Sequence, residues 1–130
     1  MKKLILLVED DEDLRKCIKE AILDEGTYEV IDLENGIKAL EWLGLNPKPS
    51  IIITDHMMLG KGADLARAAN RLSLNTIIIT GNHDSALAAL RSYNLRVPVI
   101  KKPFDIFKLL SMVDKYTAEE FKDQSIQASA

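Results

Sequence analysis

Read from its amino terminus, the chain alternates between two apolar patterns. Residues 4–8, 51–54, 76–80 and 97–100 are short, nearly unbroken apolar runs. Such runs read as strands buried on both faces, the kind found in parallel sheets covered by helices. Residues 28–33 are mixed in polarity and read as a weaker strand at a sheet edge. The stretches between show helical spacing. Leu14, Cys17, Ile18, Ala21 and Ile22 form one stripe, with Cys17 expected in the core and Gly26 ending the helix. A second helix, 37–43, follows the turn at Asn35-Gly36, and its Trp42 reads as a packing residue. Leu65, Ala68, Ala69 and Leu72 mark a third helix. Ala86, Leu87, Ala89, Leu90 and Tyr93 mark a fourth, and Ile106, Phe107, Leu109, Leu110 and Val113 a fifth.

Strand then helix, five times over with short links, specifies an α/β fold. It is a doubly wound, five-stranded parallel sheet with helices on both faces and right-handed crossovers. Apolar content falls after Tyr116. One domain is therefore expected over residues 1–118, with 119–130 a C-terminal tail that lengthens the last helix or frays.

Composition narrows the class. A chain of 130 residues suffices for one core, and 47% hydrophobic with 28% charged residues is ordinary globular usage. The net charge of −3 offers no basic field for nucleic acid. No apolar run approaches a membrane span, and the one after Met1-Lys2-Lys3 is too short for a signal-peptide core. The single cysteine cannot close an internal disulfide. A cytoplasmic protein is expected, with no membrane and no nucleic-acid partner.

Chemistry gathers where the strands end. The first strand runs into Glu9-Asp10, the third into Asp55, the fourth ends on Thr80, and Lys102 follows the fifth. Each has an ordinary reading alone: acid beside a helix start, a strand-end hydroxyl, a solvated lysine before a helix-starting proline. Asp11, Glu12 and Asp13 fit the helix-start reading well. In a parallel sheet, however, these ends all project at one edge, which is where open α/β sheets bind ligands. Three carboxylates, a hydroxyl and an ammonium then share one cavity. Carboxylates ~4 Å apart repel by roughly 4 kcal/mol per pair at an effective dielectric of ~20. Either their pKa values rise or a cation sits among them. Hard oxygen ligands without sulfur or paired imidazoles suit magnesium. Thr80 and Lys102 suit phosphoryl oxygens, and an aspartate attacking phosphorus yields an aspartyl-phosphate. His56 reads as a surface-loop histidine, since no second histidine or cysteine ligand follows at zinc spacing.

These residues carry a resemblance. The stretches Leu6-Leu7-Val8-Glu9-Asp10-Asp11, Ile53-Thr54-Asp55-His56-Met57-Met58, Ile79-Thr80-Gly81 and Lys102-Pro103-Phe104 together resemble the receiver domain of two-component response regulators. The resemblance implies a flavodoxin-like fold with strand order 2-1-3-4-5 and Asp55 as phosphoacceptor. It implies that Glu9, Asp10, Asp55 and the Met57 carbonyl hold magnesium, that Lys102 contacts the phosphoryl group, and that Thr80 is the switch hydroxyl. It further implies a cis Lys102-Pro103 bond. The phosphoryl donor would be a sensor histidine kinase or a histidine phosphotransfer protein, and the output partner is unspecified. Such a domain catalyses only its own phosphorylation and dephosphorylation.

Three departures from the family pattern bear on the switch. Leu59 stands where proline is common, which is expected to loosen the loop after Asp55. Gly62-Ala63 replaces the usual Asp-Gly. Val99 takes the place of a switching aromatic residue, so no large ring is available to swing in behind Thr80. Two other classes compete with the phospho-switch. One is a docking module of the same fold that works without phosphorylation, which the intact Glu9, Asp10, Asp55, Thr80 and Lys102 set argues against. The other is a flavin binder, which the acidic loop after the first strand disfavours.

Overall fold

The apolar runs become strands because helices cover both of their faces. The computed structural model describes residues 2–119 and 121–126. The elements run β1 Lys3–Val8, α1 Glu12–Asp24, β2 Tyr28–Leu33, α2 Gly36–Leu45, β3 Ile51–Asp55, α3 Gly62–Arg71, β4 Asn75–Thr80, α4 His83–Ser92, β5 Val99–Lys101 and α5 Ile106–Ala118. The strands pair in parallel in the order β2-β1-β3-β4-β5, as the resemblance implied. Alternate side chains of β1, β3 and β4 enter opposite layers. Ile5, Leu7, Ile51, Ile53, Ile77 and Ile79 meet Ile18 and Ile22 of α1 and Leu109 and Val113 of α5. On the other face, Leu6, Val8 and Ile52 pack on Ala39, Leu65 and Ala69, while Ile78 packs on Ala66, Ala86 and Leu90. Each strand end thus leads into a helix that folds back over one face, and all five ends open at one edge. No helix among the described residues is long and apolar enough to cross a membrane.

Side-chain caps fix where four helices begin. Asp11 accepts from the Leu14 N–H, Asn35 from Lys38, Asn82 from Ser85 and Asp105 from Phe107. Gly26, at φ +79°, lies just beyond α1, as a helix-ending glycine should. Trp42 packs beside the Leu6 layer, as expected.

Several expectations are corrected. Cys17 is exposed, not core. It lies at the margin of the α1 stripe and lines an open cavity with Leu14, Ile18, Lys102, Pro103 and Phe104. Phe107 is likewise turned out, 74% exposed, because α5 buries Leu109 and Val113 instead. The last strand is Val99–Lys101 and not 97–100, since Pro98 has no N–H to give. The Pro98 carbonyl still accepts from the Ile78 N–H at 2.9 Å. Of the tail expected over 119–130, residues 120 and 127–130 lie outside the described residues, and residues 121–126 do not lengthen α5, which ends at Ala118. They run back along the α4–β5 connection, where Ser125 bridges Leu95 in antiparallel fashion.

Candidate functional site

The edge formed by the strand ends holds the residues the sequence singled out. Glu9 follows β1 and is fully buried, Asp10 beside it is exposed, and Asp55 ends β3 with 5% exposure. Each offers a carboxylate oxygen, and these oxygens lie within 4.8 Å of one another. Lys102 enters from the end of β5, after which the Lys102-Pro103 bond is cis, as implied. Its Nζ lies 3.1 and 3.2 Å from the two Glu9 oxygens and 3.5 Å from Asp55 Oδ2. The ammonium therefore sits between two buried carboxylates. The Lys102 N–H also donates to the Thr80 carbonyl at 2.8 Å, which seats the lysine at the β4 end.

Burial is the largest influence on both acids. It pushes the Glu9 carboxyl above the ordinary carboxylate range, assisted by Asp55 and opposed by Lys102. Asp55 is also raised, first by burial; Lys102 and the His56 N–H oppose the rise, while Asp10 adds to it. The His56 N–H donates to Asp55 Oδ1 at 2.7 Å, which fixes the carboxylate's orientation and leaves Oδ2 on the side of Lys102. Like-charged groups held this close and this dry favour a bound cation. An all-oxygen donor set fits magnesium, which takes few protein carboxylates and keeps its remaining positions for water or phosphate.

Thr80 ends β4, fully buried. Its Oγ1 accepts from the Asn82 N–H at 3.0 Å, so here the hydroxyl caps its own loop. Asn82 in turn caps α4, which links the Thr80 hydroxyl to the first turn of that helix. Val99 is partly buried in the layer formed by Ile78, Ala86 and Leu90. Met57, 45% exposed, reaches toward α4, where the Ser85 hydroxyl lies 3.8 Å from its sulfur.

The loop after Asp55 differs from expectation. Loosening at Leu59 is not what the structure has: the Leu59 carbonyl accepts from the Gly36 N–H at 2.8 Å. Gly60 adopts φ +71°, and a Cβ on Gly36 would come within 2.1 Å of the Gly60 oxygen. The loop and the start of α2 thus touch backbone to backbone, which only two glycines permit. Gly62 similarly lies against the Asp55 carbonyl, where a Cβ would approach to 2.4 Å. His56 is buried at 1% exposure and is not a surface histidine. Its Nδ1 accepts from the Ala63 N–H at 3.3 Å, satisfying a donor at the start of α3 that no side-chain cap serves. Burial holds its pKa below the usual value.

Three supporting residues escape sequence reasoning. Arg15 donates from Nη1 to the Glu9 carbonyl at 2.8 Å and from Nε to Asp32 at 3.1 Å. Lys19 closes the group on Asp32 at 2.7 Å. Asp32 lies on β2, opposite Leu7, so the pairing depends on the β1–β2 register, which no local spacing announces.

Comparisons with known proteins agree with this geometry. The family model described as the response regulator receiver domain matches residues 5–114. The response regulator receiver protein CpdR of Brucella abortus is 34% identical over 116 residues, covering 87% of this chain and 95% of that protein. The chemotaxis protein CheY1 of Helicobacter pylori is 33% identical over 95 residues, covering 68% and 77% respectively. Among solved structures, a CheY-like receiver domain protein from Methanospirillum hungatei superposes with a TM-score of 0.79 at 22% identity, covering 91% of this chain and 95% of that one. Response regulator TrrA of Thermotoga maritima, solved in complex with magnesium and BeF, gives 0.73 at 27% identity, with 89% and 99% covered.

Proposed function

As the chain belongs to the response regulator receiver family and is a phosphoacceptor domain of two-component signalling, we propose that Asp55 is the residue that takes the phosphoryl group. In this reading Asp10, Glu9 and the Met57 carbonyl hold magnesium, and Lys102 and Thr80 receive the phosphoryl oxygens. The observation that carries it is the ammonium of Lys102 set between buried Glu9 and Asp55, with a third carboxylate alongside. The TrrA relative was solved in complex with magnesium and BeF, which supports a magnesium-dependent site of this kind.

The residues perform the transfer by positioning and charge neutralisation. Asp55 presents Oδ2 on the side of Lys102, while Oδ1 is held by the His56 N–H. A new P–O bond forms at Asp55 as the P–N bond of a donor phosphohistidine breaks. The departing imidazole nitrogen keeps that electron pair and takes up a proton from solvent. Bound magnesium supplies neutralisation of the negative charge shared by the carboxylates and the phosphoryl oxygens. Lys102 has three donors and is already 3.5 Å from Asp55, so it reaches a phosphoryl oxygen by a small rotation away from Glu9. Thr80 exchanges its contact with the Asn82 N–H for one to phosphoryl oxygen, which draws the residue 81–84 loop and the start of α4. With valine at position 99, that loop and helix carry the change, in place of a ring rotation in β5.

The donor is a histidine kinase or histidine phosphotransfer protein, the general partner class of the family. Intact mass after incubation with acetyl phosphate tests the assignment. One phosphoryl group is expected, only with magnesium, mapping to Asp55. Labelling that persists in Asp55→Asn would refute it.

A further inference from the structure

Residues 121–126 have few apolar side chains, yet they are held at several points. Asn70, in the last turns of α3, makes a two-point fork: its Nδ2 donates to Asp123 Oδ1 at 3.1 Å, and its Oδ1 accepts from the Gln124 N–H at 2.9 Å. Beyond the fork the backbone pairs with the α4–β5 connection. The Arg96 N–H donates to the Gln124 carbonyl at 2.9 Å, and the Ile126 N–H donates to the Asn94 carbonyl at 2.7 Å. Ile126 then lines a cavity of about 200 Å³ together with Leu87 and Leu90 of α4 and with Leu95 and Val97. This is strand-type recognition: main-chain bonds supply the hold, and Ile126 supplies one apolar wall of a cavity whose other apolar walls are Leu87, Leu90, Leu95 and Val97.

The walls of that cavity belong to different parts of the molecule. Leu87 and Leu90 ride on α4, whereas Leu95 and Val97 belong to the connection leading into β5. The far end of α4 is pinned. The Tyr93 hydroxyl donates to Asp64 of α3, and the Arg67 guanidinium lies 4.2 Å from the centre of the Tyr93 ring. The near end is tied to the β4 end through Asn82 and Thr80, with Ser85 against the Met57 sulfur and Ala86 packed on Ile78. A pull on Thr80 therefore pivots α4 about Tyr93 and moves Leu87 relative to Leu95 and Val97.

We infer that the groove between α4 and the β5 connection is a docking site for an extended segment with an aliphatic anchor, that residues 123–126 of this chain are its occupant, and that phosphorylation at Asp55 releases them. The inference rests on the reading of Asp55 and Thr80 given above and adds what that switch controls. Segment 123–126 fits the arrangement in which Thr80 is bonded to Asn82. Pivoting α4 shifts Leu87 against Leu95 and Val97 in the cavity that Ile126 also lines, so the docked segment and the phosphorylated state oppose each other. Linkage makes the opposition reciprocal: loosening the segment favours the phosphorylated arrangement to the same degree.

The test is amide hydrogen exchange on the full chain, with and without magnesium and beryllofluoride, on wild type, Ile126→Asp and Asn70→Ala. The Arg96 and Ile126 amides of wild type are expected to be protected at rest and to lose protection when beryllofluoride binds. Both variants are expected to exchange fast at these two amides in either state and to bind beryllofluoride about five-fold more tightly, the low end of allosteric couplings. Unprotected Arg96 and Ile126 amides in resting wild type would overturn the docking. Protection that survives beryllofluoride binding, seen as changes at residues 55, 80 and 102, would overturn the release while leaving the phosphoacceptor assignment intact. No change at those three residues at saturating beryllofluoride would instead sink the assignment, and the release with it.

Discussion

Replacing Lys102 by methionine keeps the length of the side chain and removes its charge. The two groups it faces are Glu9, with no exposed side-chain surface, and Asp55, with 7%. Removing one member of a buried ion pair costs about 3–5 kcal/mol, because the partner is left charged and unpaired. Lys102 keeps 23% of its side-chain surface in water, so solvent already screens part of the attraction. A cost of about 2 kcal/mol near pH 8 follows. For a domain of this size that is a fall in Tm of roughly 8 °C.

The pH dependence separates charge from packing. Burial raises the carboxyls of Glu9 and Asp55 above their unfolded values. A raised carboxylate contributes stability below its unfolded pKa, about 4, and loses it as pH rises through the folded value. Lys102 limits that loss in the wild type. Without it the folded values climb further, so the variant falls behind the wild type as pH increases. As pH falls toward 4 both acids take up protons in either protein, and the Tm difference should shrink. Thermal melts monitored by circular dichroism from pH 4 to pH 8 check this. An equal loss at both ends of the range would show that Lys102 acts through its alkyl stem, and the charge argument would fail.

Further outcomes follow from the same site. Asp10→Asn should raise the Tm of the metal-free protein by relieving repulsion, and should abolish the roughly 1 to 3 kcal/mol that magnesium adds at ~10 to ~100 times its Kd; a magnesium titration of Tm reads both. Thr80→Ala should still accept phosphoryl from acetyl phosphate but lose most beryllofluoride-induced amide shifts in residues 81–90, as NMR would show. Arg15→Met should weaken magnesium about ten-fold by freeing the Glu9 carbonyl, measured by calorimetry. Gly36→Ala should cost about 1–3 kcal/mol in urea unfolding, since its methyl meets the Gly60 carbonyl.

What the sequence could and could not disclose follows from how far each inference has to reach. Parallel strands put their ends at one edge, so Glu9, Asp10, Asp55, Thr80 and Lys102 assemble as soon as the alternation is read. Asp11 caps its own helix, which is a matter of three residues. Cys17 and Phe107 lie outside the core that helical spacing predicts for them, because spacing gives an angle and not the presence of something to pack against. His56 reads as exposed until α3 is seen to begin over it. Arg15 and Asp32 depend on a strand register. The segment 121–126 is held mostly by backbone and amide groups, which leave no apolar signature to find.

The doubly covered sheet has a consequence for how the chain finds its alignment. In most half-buried strands a slip of one residue turns the apolar face outward and is rejected at once. Here β3 carries Ile51, Ile52 and Ile53 in succession and β4 carries Ile77, Ile78 and Ile79, all fully buried, with Ile53 opposite Ile77. A slip of one residue in either strand leaves isoleucine at two of its three isoleucine sites, so the hydrophobic layers register the error only weakly. Only the ends object: Thr54 and Asp55 on one strand, Thr76 and Thr80 on the other. A slip in one direction drags the carboxylate toward the apolar interior, and in the other it carries isoleucine out to the polar edge. The residues that carry out the chemistry are thus also the marks that set the sheet in frame. Replacing Asp55 or Thr80 with isoleucine would remove a reactive group and a ruler in the same stroke.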